Sequence, residues 1–228
     1  MLIFFLLFAL ALIVTLYGRS KYRLVYDEEI KNLSPSGLTG EKLARLILDE
    51  SGIEGVEIVK SVGLFADFYD PGSKRLSLAP QHFGGSTFSA LGVAAHEAGH
   101  AIQQQAGYHP LSWRITAVKA TMYLTLPVVV IGTVMTLMTK AVFLLIISWS
   151  FLLAYNLFTM PIELDASERS KKILRAIKPF ANYDERVGVE KMMRVAPAAY
   201  IEGFFTTLSW VASLIPSLIS SDDSQDKK

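Results

Sequence analysis

The chain contains no cysteine. That excludes disulfides and removes thiolate as a metal ligand, so any metal site must be built from imidazole and carboxylate. Histidine is scarce too, with four in 228 residues. Charge is low and balanced, with 22 Lys and Arg against 21 Asp and Glu and a formal net charge of +1. A nucleic-acid partner is therefore not expected, because the basic residues are matched by acids and sit beside apolar blocks. The signs of a cleavable leader are missing as well. No basic residue precedes the first apolar run, and Tyr17-Gly18-Arg19-Ser20 offers no small-x-small cleavage site.

What the chain has in abundance is apolar sequence. Hydrophobic residues make up 51% and the mean hydropathy is +0.36. A bilayer span needs about 20 apolar residues. Two uncharged runs, 120–138 and 141–162, meet that length with only Thr139-Lys140 between them, so a transmembrane hairpin turning at Lys140 is expected. Residues 1–17 read as a retained N-terminal anchor. The block 196–220 is a weaker span, since it holds Glu202, Pro216 and many hydroxyl residues, and 221–228 is a polar, disordered tail. Arg19, Lys21 and Arg23 follow the first span, and a second basic segment, 163–195, follows the hairpin. Two spans return the chain to its starting side, which places both basic regions in the cytoplasm of a multi-pass cell-membrane protein.

Residues 19–118 remain as the one long stretch able to fold outside the bilayer, about the size of a small domain. An amphipathic helix is expected over 38–51, a strand over 56–62, and a hairpin from 64–69 and 74–78 around Asp70-Pro71-Gly72-Ser73. An edge of that sheet would either hold an extended substrate or only cover the next helix; the residues leave both open.

The next helix carries the main signal, His96-Glu97-Ala98-Gly99-His100. Histidines four apart project from one helix face, and the glutamate between them reaches a water held by a shared metal. This H-E-x-x-H spacing is the arrangement of zinc peptidases. With four His and twelve Glu in the chain, about 0.003 matches are expected by chance. The context supports a helix: Ser86-Thr87 suits an N-cap after Gly84-Gly85, and Gly107 suits a C-terminal stop. Small residues around the pair (Ala94, Ala95, Ala98, Gly99) allow another element to approach closely.

A catalytic zinc needs a third protein ligand. The candidates beyond the apolar hairpin are Glu163, Asp165 and Glu168, each of which can equally be an ordinary helix-end charge. Residue types alone do not choose among them.

The stretch Val93-Ala-Ala-His-Glu-Ala-Gly-His-Ala-Ile-Gln103, together with Pro161-Ile-Glu-Leu-Asp-Ala-Ser167, resembles the YugP-type neutral zinc metallopeptidases of bacteria. More distantly it is similar to HtpX-type and CAAX prenyl membrane peptidases. The resemblance implies that Glu163 is the third ligand of one catalytic Zn2+ ion, beside His96 and His100. The distant relatives carry an aspartate four residues after that glutamate. Here that position is Ser167, and Asp165 lies two after it, so Asp165 either orients a histidine or is itself the ligand.

The expected fold is thus a mainly α membrane protein, with transmembrane helices and a small α+β zincin-like domain. The expected activity is a membrane-anchored metalloendopeptidase, in which zinc activates a water and Glu97 acts as general base. Its partners would be the lipid bilayer and a peptide or membrane-protein substrate. His82, Tyr108 and His109 are candidate oxyanion donors, each with a plainer reading as a loop residue. Two rivals are an intramembrane protease, disfavoured by the polarity of 86–107, and a non-enzymatic membrane protein whose metal site is structural or vestigial.

Overall fold

A computed structural model describes residues 2–62, 66–111, 113 and 142–198. In chain order they form α1 (Leu2–Glu29), α2 (Gly40–Glu50), β1 (Glu57–Lys60), β2 (Phe68–Asp70), β3 (Arg75–Leu78), α3 (Pro80–Phe83), α4 (Phe88–Gln105), α5 (Val142–Ile177) and α6 (Tyr183–Val195), ending in a 3-10 turn, Ala196–Ala198.

Helix α4 is the axis on which the rest is assembled. Thr87 caps it by accepting from the Ala90 amide at 3.2 Å, and Gly107 follows its end with φ +65°. From Phe88 through Ala101 every residue is buried. The helix is enclosed by α2, α5, α6 and the sheet. Helix α2 brings Leu43, Ala44, Ile47 and Leu48 to one side, from the amphipathic pattern expected there, with Thr39 as its N-cap. Leu91, Ala94, Ala95 and Ala98 of α4 meet them, and Leu174, Val189 and Met193 join from α5 and α6.

The sheet is small and mixed. β2 and β3 form the expected antiparallel hairpin, and Asp70 organises its turn by accepting from the Gly72 amide and the Ser73 hydroxyl, each at 2.9 Å. β1 pairs in parallel with β3, giving the order β1-β3-β2. β3 is therefore central, and its Leu76, Ser77 and Leu78 are buried.

The reading of the fold as a membrane protein with transmembrane helices is corrected here. Among the described residues, no helix is long and apolar enough to cross a membrane. Helix α1 does not stop at Tyr17 but runs on through Arg19, Lys21, Arg23, Asp27 and Glu28 while burying Val25. Helix α5 passes through Pro161 without a break and carries Glu163, Asp165, Glu168, Arg169 and Lys171 on the way to Ile177. The fold class that stands is mainly helical with one small sheet. The run 120–138, the turn at Lys140, Glu202, all but the first three residues of 196–220, and the tail 221–228 lie outside the described residues.

Candidate metal centre

Two glycines let other helices close on α4. A Cβ at Gly92 would lie 2.5 Å from the Cβ of Met192 on α6. A Cβ at Gly99 would lie 2.2 Å from the Ala166 carbonyl oxygen of α5. Backbones this close are possible only where the side chain is absent. The Gly99 contact sets the depth at which α5 delivers its side chains. Glu163, Ala166, Ser167, Ser170 and Leu174 follow helical spacing on one face of α5, and all are buried.

The result is a group of three side chains able to hold a metal ion: His96, His100 and Glu163, with their ligating atoms all within 4.8 Å of one another. Glu163 Oε2 lies 3.1 Å from His96 Nε2 and 3.2 Å from His100 Nε2. The two rings meet edge to face, with centroids 5.0 Å apart. Exposure is 2% for His96, 0% for His100 and 3% for Glu163, so the group is withdrawn from bulk water.

Glu97 is 3% exposed, and its Oε2 is a buried oxygen without a hydrogen-bond partner. A lone buried carboxylate oxygen is costly, and Glu97 directly follows His96 on α4. A buried orphaned acceptor on the helix that carries both histidines of a His-His-Glu cluster fits a site built for a cation and the water it holds, so the residues present suit a zinc ion.

Asp165 stands elsewhere. Its Oδ2 accepts from Gln103 Nε2 at 2.8 Å and from Arg169 Nε at 2.6 Å. Arg169 in turn lies over the Tyr108 ring, 5.3 Å from its centroid. Glu168 is exposed and pairs with the buried Lys171 at 2.5 Å. His82 Nε2 lies 2.8 Å from Tyr26 Oη, and its Nδ1, which makes no hydrogen bond of good geometry, lies 2.8 Å from Asp67 Oδ2. Burial first, and then the charges of Asp67 and Asp27, push the Tyr26 hydroxyl above its ordinary pKa. His109 is exposed just beyond α4.

Gln103 is a residue that no candidate set from the sequence contains. It is fully buried and touches His100. Helical spacing was the available signal: position 103 is seven residues, two turns, beyond His96 and three beyond His100, on the same face.

Two histidines on one helix and a buried glutamate on a second define the class, and the comparisons agree with it. The chain belongs to the family described as "Putative neutral zinc metallopeptidase", which matches residues 4–219. It is similar to "Putative membrane protease YugP" of Bacillus subtilis (strain 168), 30% identical over 200 residues covering 87% of this chain and 88% of that protein. No solved structure matches the chain significantly.

Proposed function

We propose that this chain is a zinc-dependent endopeptidase in which His96, His100 and Glu163 hold one ion and Glu97 is the general base. The observation that carries the reading is the buried, unpartnered Glu97 Oε2 on the same helix that supplies two of three convergent ligand atoms. A zinc ion bound there would supply the Lewis acidity that makes water nucleophilic near neutral pH.

Glu97 then acts at a single atom. Its Oε2 takes a proton from the attacking water as the water oxygen bonds to the scissile carbonyl carbon. It delivers that proton to the leaving nitrogen as the C–N bond breaks. Atoms and charge balance, and Glu97 is regenerated. The low exposure of the cluster keeps bulk water away and strengthens each of these contacts. Such proton transfer contributes about 10²–10⁴ in rate. The substrate class is a peptide or a membrane protein. A membrane location is supported by the relative's printed name and by exposed Leu10, Ile13 and Tyr17 on α1.

A structural metal site is the second reading, favoured by the near-complete burial of all three ligands. A structural site would fill all four positions and leave none for water. Metal analysis and casein cleavage with purified full-length protein separate the two. Equimolar zinc with cleavage that Glu97→Gln abolishes supports the peptidase. Equimolar zinc without cleavage, or undiminished cleavage by Glu97→Gln, overturns it. Recovery of the chain with sedimented membranes after lysis tests the location, and recovery in the supernatant contradicts it.

A further inference from the structure

Each histidine of the cluster is backed by a neutral side chain. His100 Nδ1 lies 2.8 Å from Gln103 Oε1, and His96 Nδ1 lies 2.9 Å from Ser167 Oγ. We infer that Gln103 and Ser167 are positioning residues that lock both imidazoles with the proton on Nδ1, an inference that rests on the metal-site reading above.

The argument is one of counting protons. The Gln103 amide nitrogen has two, and both are committed: one to the Ile162 carbonyl at 2.8 Å, the other to Asp165 Oδ2 at 2.8 Å. Neither partner can be reached by the amide oxygen instead, because both are acceptors. Gln103 Oε1 therefore faces His100, and since it can only accept, His100 Nδ1 must carry a hydrogen. Ser167 has a single hydroxyl proton, donated to the Met193 carbonyl of α6 at 2.8 Å. Its remaining lone pairs face His96, whose Nδ1 donates to them.

With both protons held on Nδ1, each Nε2 presents a lone pair toward Glu163 Oε2. Three acceptor atoms then converge, an arrangement suited to a cation. Fixing the tautomer through a partner on the far ring nitrogen is how metal-binding histidines are commonly oriented. The choice of neutral partners has its own logic. Glu97 and Glu163 are already two buried carboxyl groups on α4 and α5, and a third directly behind a histidine would add another charge to desolvate. Asp165 stays one step back, with Gln103 carrying its influence to the ring.

The test uses full-length protein labelled with 15N-histidine, first metal-free and then zinc-loaded. NMR reads which ring nitrogen carries the proton, with the His96 and His100 signals assigned by their loss in His96→Gln and His100→Gln. The expected result is a protonated Nδ1 on both rings in both states. Chelator competition then gives zinc affinity: Ser167→Ala and Gln103→Met are expected to weaken it about 10- to 100-fold, and Ser167→Thr, which keeps the hydroxyl, to restore most of it. A bare Nδ1 on either wild-type ring overturns the inference. So do folded alanine and methionine variants that bind zinc within twofold of wild type. A wild type that binds no zinc yet shows Nδ1 protonated on both rings supports the lock and overturns the metal reading instead.

Discussion

Gly99 and Ala166 set the spacing of the two helices that carry the cluster: a Cβ added at Gly99 would lie 2.2 Å from the Ala166 carbonyl oxygen and 2.9 Å from Ser170 Oγ. Gly99→Ala should gain about 1 kcal/mol in helix propensity. The overlap with rigid backbone outweighs that gain, since overpacking typically costs about 1–3 kcal/mol. Because α5 must move away, Glu163 moves with it. A lower melting temperature and at least a tenfold loss of zinc affinity are expected, and an unchanged affinity would contradict this spacing role.

Glu163 and Asp165 are expected to separate cleanly. Glu163→Gln should lose stoichiometric zinc, measured by elemental analysis after gel filtration. Asp165→Asn should weaken binding by about tenfold or less, because it acts only through Gln103. The reverse ranking would make Asp165 the ligand.

Glu185 should matter for stability rather than for metal. It is fully buried and accepts from the Ser34 hydroxyl, the Ser36 hydroxyl at 2.6 Å and the Ala181 amide at 2.8 Å. Removing the carboxylate strands these donors, so Glu185→Ala should cost about 2–4 kcal/mol. Urea unfolding of the zinc-loaded protein measures it, and a loss below about 0.5 kcal/mol, the scale of a surface change, would contradict the assignment.

Tyr69 predicts an alkaline limb. Burial, and then the charge of Asp70, push its hydroxyl up to about 12, and that hydroxyl donates to Gln104 Oε1. The folded state therefore favours the protonated phenol relative to the unfolded chain. Its contribution is complete below pH 10 and is lost as pH rises toward 12. Tyr69→Phe should show a shallower fall of stability over that window than wild type. Parallel curves would remove Tyr69 from the account.

The sequence made parts of this arrangement legible for definite reasons. Thr87, Gly107 and the four-residue spacing of the histidines are local signals, so the α4 boundaries and the shared face of His96 and His100 followed directly. The amphipathic pattern over 38–51 and the turn at Asp70 were local in the same sense. The parallel pairing of β1 with β3 was not, because register between separated strands leaves no periodic trace. Hydropathy marked the apolar halves of α1 and α5 but not that each helix continues into a charged half. Glu163 was reached through resemblance. Gln103 and Ser167 were within reach of helical spacing, but their partners, the Ile162 and Met193 carbonyls, belong to elements whose approach only tertiary packing fixes.

The hydroxyl bridge from His96 through Ser167 to the Met193 carbonyl has a consequence for biosynthesis. The histidine pair leaves the ribosome early, yet its orienting contact ends on a residue nearly a hundred positions later. A nascent or truncated chain that stops before Met193 carries the whole histidine helix without the means to aim it. Such a chain is expected to lack the finished site, because the order of translation withholds this contact until Met193 has emerged.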